Sequence, residues 1–317
     1  MRKNLDFREK KEGSLPYVEI NSPGEFKSAK IFDCGQCFRF NRANNSRHEV
    51  EFSGVAYGKF LSVAQSGEKI YIYNSTAKEF ENLWCHYLGL DTDYEAIISD
   101  IASRSGNPAL GAALEFGKGI RILAQEPFET VISFIISQNN NIPRIKKIIE
   151  NLSETYGKKI DLAGIDPSHL AEGCKYFTFP RAEDFLAAGV EGIYNMRVGF
   201  RAKYIYDAAR KFSDGTVDLS RIFAEASTEK CIEELCLVKG IGLKVASCAL
   251  LFGFGRYDAF PVDVWIKKVI AKYFDADPSG FDYRTLGPFA GIAQQYLFYY
   301  ERYGTKNAFG NASAFPK

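Results

Sequence analysis

The spacing of apolar residues changes once along this chain, near Thr76, and that change constrains the fold more than any other feature. From about Leu15 to Ser75 the segments LPYVEI, HEVEFSGVAYG and EKIYIYN alternate apolar and polar positions or carry β-branched and aromatic side chains. A repeat of two, interrupted by turn residues, is typical of antiparallel strands. After Thr76 the apolar residues recur at helical spacing. The sequence therefore predicts an α+β protein, with an N-terminal antiparallel β-sheet domain followed by an all-helical domain.

The predicted domain organisation has three parts. Residues 1–14 are charged and are set apart as an N-terminal extension, residues 15–105 form the β-rich domain, and residues 106–317 form the helical domain. From Pro108 onward nearly every segment is predicted to be helical, including PFETVISFIISQ, NIPRIKKIIENLSETYG and LKVASCALLFGF. A helical hairpin is predicted at residues 232–250.

Charge and cysteine content indicate where such a chain works. The formal net charge is +1, so any binding to nucleic acid must come from local basic patches. The N-terminus lacks the apolar core of a signal peptide, and no apolar run reaches the roughly 18 residues that a membrane span needs. The 7 cysteines then favour reduced thiols inside a cell. We expect a protein that is neither secreted nor membrane-bound, cytoplasmic or nucleoid-associated in a bacterium and nuclear in a eukaryote.

Cys34 and Cys37 form a C-x-x-C pair in the segment CGQC. A redox or zinc site would need a second cysteine pair or a βαβ context, and the sequence has neither. We therefore predict two half-buried thiols in a strand region.

The segment VKGIGLKVASC predicts a tight glycine turn between two helices. Gly240 and Gly242 lack a Cβ atom, so both can adopt positive φ and let another backbone come close. Amides of the turn and of the next helix would then point outward together and bind one phosphate of a nucleic acid. A simple helical corner is the alternative.

Lys244 follows this turn, at the start of a helix that is apolar on almost every face. The positive end of the helix dipole and the neighbours Leu243 and Val245 disfavour a charged ammonium there. A neutral amine can act as a nucleophile and form a Schiff base, although a lysine that pairs with phosphate fits this stretch equally well. Asp263 follows a Pro-Val pair and opens another helix. It is either an N-cap alone or also a carboxylate that supports charge or proton transfer.

Glycine hairpin, lysine and aspartate in this order resemble the helix-hairpin-helix (HhH-GPD) DNA glycosylases. The resemblance is closest to the 8-oxoguanine DNA glycosylases that also have lyase activity, and it runs from about Ser28 to Gly304. Besides the hairpin, the matching motifs are GQCF at 35–38, SQNNNIPRI at 137–145, VGFRAKYI at 198–205, PVDV at 261–264 and GPFAGIAQQYLF at 287–298.

The resemblance implies a mechanism and a partner. A damaged base rotates out of duplex DNA, Lys244 attacks its sugar C1′, and Asp263 supports the displacement. The Schiff base then permits β-elimination, which nicks the strand. The expected partner is double-stranded DNA containing 8-oxoguanine opposite cytosine, bound by a monomer. The bond-breaking steps require no metal and no cofactor, while a structural cation at the hairpin backbone stays open.

Four positions match residues that hold the lesion base. The backbone carbonyl of Gly35 would accept the N7–H that distinguishes 8-oxoguanine from guanine, with a strand bulge as the plain alternative. Gln294 would contact the Watson–Crick edge. Phe298 and Cys248 would enclose the base from its two faces, whereas composition alone makes both of them core residues.

Four further positions match residues that contact the undamaged part of the duplex. Asn139, Arg144 and Arg201 would fill the gap and read the unpaired cytosine, and Phe200 would be the aromatic wedge. Many relatives have tyrosine in place of this phenylalanine, so discrimination of the opposite base is expected to loosen slightly. Trp265 stands where eukaryotic members have a histidine, which puts one phosphate contact in doubt.

Three rival functions differ in what they require of the chain. A monofunctional alkylated-base glycosylase uses the aspartate without a lysine. A non-catalytic DNA-binding module uses the hairpin only to hold phosphates. An unrelated Schiff-base enzyme such as an aldolase would show a βα repeat, which the sequence lacks.

Overall fold

The computed structural model describes residues 5–21 and 23–304, and it begins with a six-stranded sheet. The strands are Asp6–Glu12 (β1), Leu15–Asn21 (β2), Phe40–Arg42 (β3), Val50–Ala56 (β4), Lys59–Ser66 (β5) and Lys69–Tyr73 (β6). Their spatial order is β1-β2-β6-β5-β4-β3, and every neighbouring pair is antiparallel. The prediction of an antiparallel sheet followed by helices is confirmed. Residues 1–4 of the predicted extension and 305–317 of the predicted helical domain lie outside the described residues.

The predicted N-terminal extension contains a strand that the sequence pattern did not reveal. β1 pairs with β2 along its whole length, with Phe7 opposite Ile20, so the predicted boundary at residue 15 falls inside a β-hairpin. Its sequence DFREKKE is mostly charged because β1 is an edge strand with largely exposed side chains. Phe7 is half-buried and packs on Phe80, with ring centroids 4.8 Å apart.

Helices account for most of the remaining chain. They are Ser28–Asp33 (α1), Ala77–Glu79 (α2), Cys85–Tyr87 (α3), Tyr94–Arg104 (α4), Pro108–Phe116 (α5), Pro127–Ser137 (α6), Ile142–Tyr156 (α7), Ala182–Ile193 (α8), Ala202–Ser213 (α9), Leu219–Ala224 (α10), Thr228–Leu235 (α11), Leu243–Gly253 (α12), Val264–Tyr273 (α13) and Ala290–Tyr299 (α14). Short 3-10 or π turns extend or join several of them. In the described ranges no helix is both long and apolar enough to cross a bilayer.

The segment between α7 and α8 departs from the helical prediction. Apart from the short turn Pro167–His169 it is irregular, because glycine and proline residues interrupt any helical pattern. It folds back onto the sheet, where Tyr176 packs edge-on against Phe60 and the buried His169 hydrogen-bonds Glu51 over 2.6 Å. Residues from the predicted helical domain therefore complete the sheet domain.

The turn after α1 lies between the two hydrophobic cores. Cys34 and Phe38 belong to the core of the helices, whereas Cys37 belongs to the core of the sheet. Both thiols are buried and free, in a turn that follows a helix, so the prediction of half-buried thiols in a strand region is wrong. The six-residue helix α1 was too short to show a helical period. The two thiols thus face different cores. Burial raises the pKa of Cys34 to about 12 and also raises the pKa of Cys37.

Candidate active site and DNA-binding surface

The predicted hairpin consists of α11, a turn and α12, and its two glycines differ in conformation. Gly240 has a φ of +81°, and a Cβ atom there would lie 2.3 Å from Cδ2 of Tyr204. Gly242 has a φ of −112° and open space around it, so of the two hairpin glycines only Gly240 uses the positive φ that is accessible to both. The reason is that Gly242 is the N-cap of α12, a position that favours extended backbone.

The first turn of α12 has backbone amides without an acceptor inside the helix. The first helical hydrogen bond runs from the amide of Ala246 to the carbonyl of Gly242 over 3.0 Å, so the amides before it have no acceptor within the helix. Gly242 offers no side-chain cap, and both hairpin glycines are exposed. Exposed amides at the positive end of a helix form a site suited to a phosphate group.

Lys244 is half-buried on the first turn of α12. Its Nζ atom lies 3.4 Å from Ser137 Oγ and 5.5 Å from the centroid of the Phe134 ring. Within residues 5–21 and 23–304 it forms no ion pair, which is unusual for a lysine that is partly removed from water. Leu243 is 64% exposed and does not shield the amine, so the expected contribution of that neighbour is wrong. Phe134 of α6 supplies the apolar contact instead.

Asp263 is the N-cap of α13. Its Oδ1 atom accepts from the amides of Trp265 at 3.0 Å and Ile266 at 2.8 Å. These hydrogen bonds confirm that Asp263 caps the helix, and they also fix the direction of the carboxylate.

One cavity of about 600 Å³ brings the predicted catalytic and base-binding residues together. Its lining includes Gly35, Lys244, Cys248, Asp263, Gln294 and Phe298. They come from the turn after α1, from α12, from the N-cap of α13 and from α14, which are far apart in the sequence. A ligand in this cavity would therefore meet an amine, a carboxylate, a thiol, an amide and an aromatic ring in one place.

Gly35 adopts a φ of +82°, in a turn rather than a strand bulge. The hydrogen bonds that hold this turn come from two glutamines that sequence reasoning missed. Gln36 is fully buried, donates to the carbonyls of Ile31 and Arg121 at 2.9 Å each, and accepts from the amide of Leu123 at 2.8 Å. Gln295 donates to the carbonyl of Cys34 at 2.9 Å. Both glutamines occur in motifs that matched, but the letters do not show which amide faces the backbone.

Gln294 carries a buried oxygen without a partner. Its Oε1 atom has no hydrogen-bond partner in the part of the chain that the structure describes, although the residue is only 4% exposed and lines the cavity. A buried, unpaired amide oxygen is costly unless a ligand satisfies it.

Phe298 lies one helical turn further on, and the guanidinium of Arg302 lies 5.9 Å from its ring centroid. Burial raises the pKa of the Cys248 thiol, so it remains neutral and apolar in the cavity.

The predicted opposite-base and wedge residues lie outside the cavity. Asn139 is exposed, with a φ of +47°, and Arg144 is exposed at the start of α7. Phe200 is 54% exposed and packs edge-on against Tyr204, with ring centroids 5.9 Å apart. An exposed aromatic side chain on a turn is available to enter a base stack.

Arg201 differs from this group because its guanidinium is already hydrogen-bonded. It donates to the carbonyls of Val198 at 3.1 Å and Asn139 at 3.1 Å, and twice to Gln138. The residue is 3% exposed. Burial and then the nearby charge of Arg144 lower its pKa below the usual arginine value. Arg201 therefore holds the backbone beside Asn139, and its predicted contact with cytosine stays a prediction.

Two observations concern positions where a metal or phosphate contact was in question. In the described part of the chain no cluster of three or more His, Cys, Asp or Glu side chains could hold a metal ion. Trp265 lines the mouth of the cavity, with Lys268 Nζ 4.9 Å from its ring. The indole of Trp265 and the ammonium of Lys268 are therefore the groups available to a phosphate at this position.

Comparison with known proteins defines the class and then the family. Residues 19–131 match the 8-oxoguanine DNA glycosylase N-terminal domain, and residues 132–280 match the HhH-GPD superfamily of base excision DNA repair proteins. An apo crystal structure of the Clostridium acetobutylicum 8-oxoguanine glycosylase/lyase is 38% identical, covers 94% of this chain and 100% of that chain, and has a TM-score of 0.82.

Curated relatives support the same family. A probable N-glycosylase/DNA lyase of Methanothermobacter thermautotrophicus is 31% identical over 66% of this chain and 72% of that protein. The N-glycosylase/DNA lyase of Saccharomyces cerevisiae is 36% identical over 49% of this chain, but the match spans only 42% of the yeast protein. A 3-methyladenine DNA glycosylase of Archaeoglobus fulgidus, 22% identical with a TM-score of 0.62, shares the fold alone.

The fold and the site thus define a base excision DNA repair enzyme of the HhH-GPD superfamily. Within that superfamily, the chain belongs to the family of 8-oxoguanine DNA glycosylases.

Proposed function

We propose that this protein excises 8-oxoguanine opposite cytosine from duplex DNA and then nicks the strand, with Lys244 as the nucleophile. The observation that carries the proposal is the cavity where Lys244, Asp263 and the unpaired Gln294 oxygen meet. Relatives that are named as glycosylases with lyase activity support the reaction class. A core lysine or a lysine that only binds phosphate gives no reason for a carboxylate, an unpaired amide oxygen and an aromatic ring to line the same cavity.

The chemistry assigns one bond change to each group. The Lys244 amine gives up a proton and attacks C1′, the C1′–N9 bond breaks, and its electron pair leaves with the base, which takes up a proton. The sugar ring then opens to a Schiff base between C1′ and the lysine nitrogen. Loss of a C2′ proton breaks the C3′–O bond, which nicks the strand, and water hydrolyses the remaining imine. Asp263, fixed by its capping hydrogen bonds, stabilises the positive charge on the sugar.

Base selection follows from the polarity of the cavity. The carbonyl of Gly35 accepts N7–H of the lesion, whereas guanine would place a lone pair against it. In a dry site such a mismatch is worth about 1–3 kcal/mol. Gln294 satisfies its unpaired oxygen on the Watson–Crick edge of the base, and Phe298 and Cys248 cover its faces.

The undamaged strand is read by the exposed group beside the cavity. Arg144 and Asn139 supply donors for the acceptors of cytosine, Phe200 fills the gap in the stack, and Arg201 fixes the backbone beneath Asn139. The proposal assigns no step to a cofactor and assumes a monomer, since the lysine, the carboxylate and the base-binding groups of the cavity all come from one chain.

Borohydride trapping tests the proposal, because it reduces a Schiff base to a stable covalent adduct. Duplex containing 8-oxoguanine opposite cytosine should become covalently linked to the wild type, and Lys244→Gln should form no adduct while still binding DNA. Lys239→Gln is the matched control, since it removes an exposed lysine five positions earlier in the same hairpin. That variant should still form the adduct at saturating DNA.

Two results would replace the proposal with a rival. Binding without adduct or cleavage by the wild type indicates a non-catalytic DNA-binding module. Release of alkylated purines without any adduct indicates a monofunctional alkylated-base glycosylase.

A further inference from the structure

Helix α9 presents three side chains to the hairpin from one face, at positions 204, 207 and 211. The Tyr204 ring packs against Gly240 and excludes any Cβ atom there. The Asp207 carboxylate accepts from the backbone amide of Lys239 over 2.8 Å. The Lys211 ammonium donates to the backbone carbonyl of Leu237. The spacing of three and four residues keeps these groups on one side of the helix.

Asp207 and Lys211 also bind each other. Lys211 Nζ lies 2.9 Å from Asp207 Oδ2, the same oxygen that accepts from the Lys239 amide. Both side chains are largely buried, with exposed fractions of 11% for Asp207 and 14% for Lys211. An ion pair removed from water in this way is strong when its remaining hydrogen-bonding capacity is used, and here both members also bind the hairpin backbone.

The ammonium lies where the hairpin has negative partial charge. Leu237 follows the C-terminus of α11, and the carbonyls at the end of a helix attract cations. The Leu237 carbonyl is bound by Lys211, and the carbonyl of Val238 accepts from the amide of Ile241 at 3.1 Å. A metal ion coordinated by these oxygens would lie close to a positive charge that is already in place, and would be repelled by it.

We propose that Lys211 is the built-in cation of the hairpin, so that the phosphate-binding turn keeps its shape without a bound metal ion. Lys211 fixes a carbonyl before the turn, and Asp207 fixes an amide at its start. Both are positioning residues, and neither contacts the lesion. The inference rests on the proposed function, because it presumes that the turn binds a phosphate of DNA.

The contacts of Lys211 and Asp207 with the hairpin also set the distance between two parts of the DNA-binding surface. α9 begins immediately after the turn Gly199–Arg201, which carries the exposed Phe200. The same helix therefore holds the wedge at its N-terminus and the hairpin along its side. Loss of the Lys211 contact would let the hairpin move relative to Phe200.

The test measures binding of the full chain to duplex containing a stable abasic analogue. Dissociation constants are compared in three salt solutions, namely choline chloride, potassium chloride at the same concentration, and choline chloride with calcium chloride at a concentration too low to compete measurably for DNA phosphates. The wild type should bind equally well, within about twofold, in all three salts. Lys211→Met should lose about tenfold in choline and regain most of it in potassium or calcium, because a free cation can then occupy the vacated place. Lys211→Arg should behave as the wild type.

The control is Lys230→Met, which removes an exposed lysine of α11 that pairs with Glu225 at 3.7 Å. It should show no difference between the three salts. A wild type that needs potassium or calcium for tight binding would overturn the inference without any variant. An equal loss of affinity for Lys211→Met in every salt would also overturn it, since it would indicate simple loss of charge or shape. A wild type that binds no DNA in any salt would instead refute the proposed function.

Discussion

Replacement of Gly240 by alanine has a cost that the structure divides into two parts. A residue other than glycine at a φ of +81° costs roughly 1–2 kcal/mol of backbone strain. The new Cβ atom would lie 2.3 Å from Cδ2 of Tyr204, so the ring or the turn must move. Overpacking of this kind typically costs about 1–3 kcal/mol. The free energy of unfolding should therefore fall by about 2–5 kcal/mol, and hairpin binding to DNA should weaken as the turn shifts.

Gly242→Ala is the matched control because it lies two residues away without either penalty. Its φ is −112° and no heavy atom lies within 4 Å of the place that the added Cβ atom would take, so the loss of stability should stay below about 1 kcal/mol. The added methyl group still projects from the surface that a phosphate would approach. DNA affinity should therefore fall in Gly242→Ala while stability hardly changes.

Urea unfolding and DNA titration of both variants separate these effects. In a Tyr204→Leu background the Gly240→Ala cost should shrink to the backbone part, roughly 1–2 kcal/mol, because the ring is gone. If Gly240→Ala unfolds with the same free energy as Gly242→Ala, the contact between Tyr204 and the turn does not exist as described and the reasoning is refuted.

Three further predictions follow from single contacts. Gly35→Ala meets only ordinary contacts, 3.5 Å to Ile142 and 3.7 Å to Phe298, so it should lose about 1–2 kcal/mol of stability from its φ of +82°. Lesion excision should fall while affinity for undamaged duplex is unchanged, and equal loss of both would show a purely structural glycine. Gln294→Leu removes a buried unpaired oxygen, so urea unfolding should show a gain of about 1 kcal/mol, with at least tenfold slower excision; lower stability would contradict this. Burial opposes ionisation of Asp207, but hydrogen bonds from the Lys239 amide, Lys211 and Arg210 outweigh it and lower its pKa. The stability that Asp207 contributes is complete above the unfolded value near pH 4 and is lost as pH falls through the lower folded value. The difference in unfolding free energy between the wild type and Asp207→Asn should therefore be constant near neutral pH and shrink in acid; a difference that grows in acid would contradict the assignment.

The residues that line the cavity could be predicted because they lie in motifs whose order is itself informative. The split into a sheet and helices could be predicted because a buried face forces a repeat of two or of about 3.6. The same logic explains the failures. β1 has almost no buried face, so its charged sequence carries no period. The irregular segment after α7 buries side chains such as Tyr176 against the sheet without any regular repeat.

Residue roles within a motif proved harder to predict than the motif. The two hairpin glycines look equivalent in the sequence, and only the ring of Tyr204, some 36 positions earlier, makes one of them obligatory. Arg201 has the residue type that reads cytosine, but three backbone carbonyls occupy its donors. The polar groups that support Lys244 and Gly35, such as Ser137 and Gln295, depend on side-chain directions that a sequence does not carry.

In the proposed mechanism, the position of the Gly35 turn separates base selection from bond breaking. Lys244 and Asp263 are fixed by helices of one core, whereas the turn is anchored from both cores through Cys34 and Cys37. Discrimination of N7–H from a lone pair depends steeply on the distance and angle at one carbonyl, because hydrogen bonds weaken quickly away from ideal geometry. Attack by the amine depends on different atoms. Changes that loosen the packing of the sheet against α1 should therefore reduce selectivity for the oxidised base before they reduce the rate of Schiff-base formation at an abasic site, which needs no base recognition.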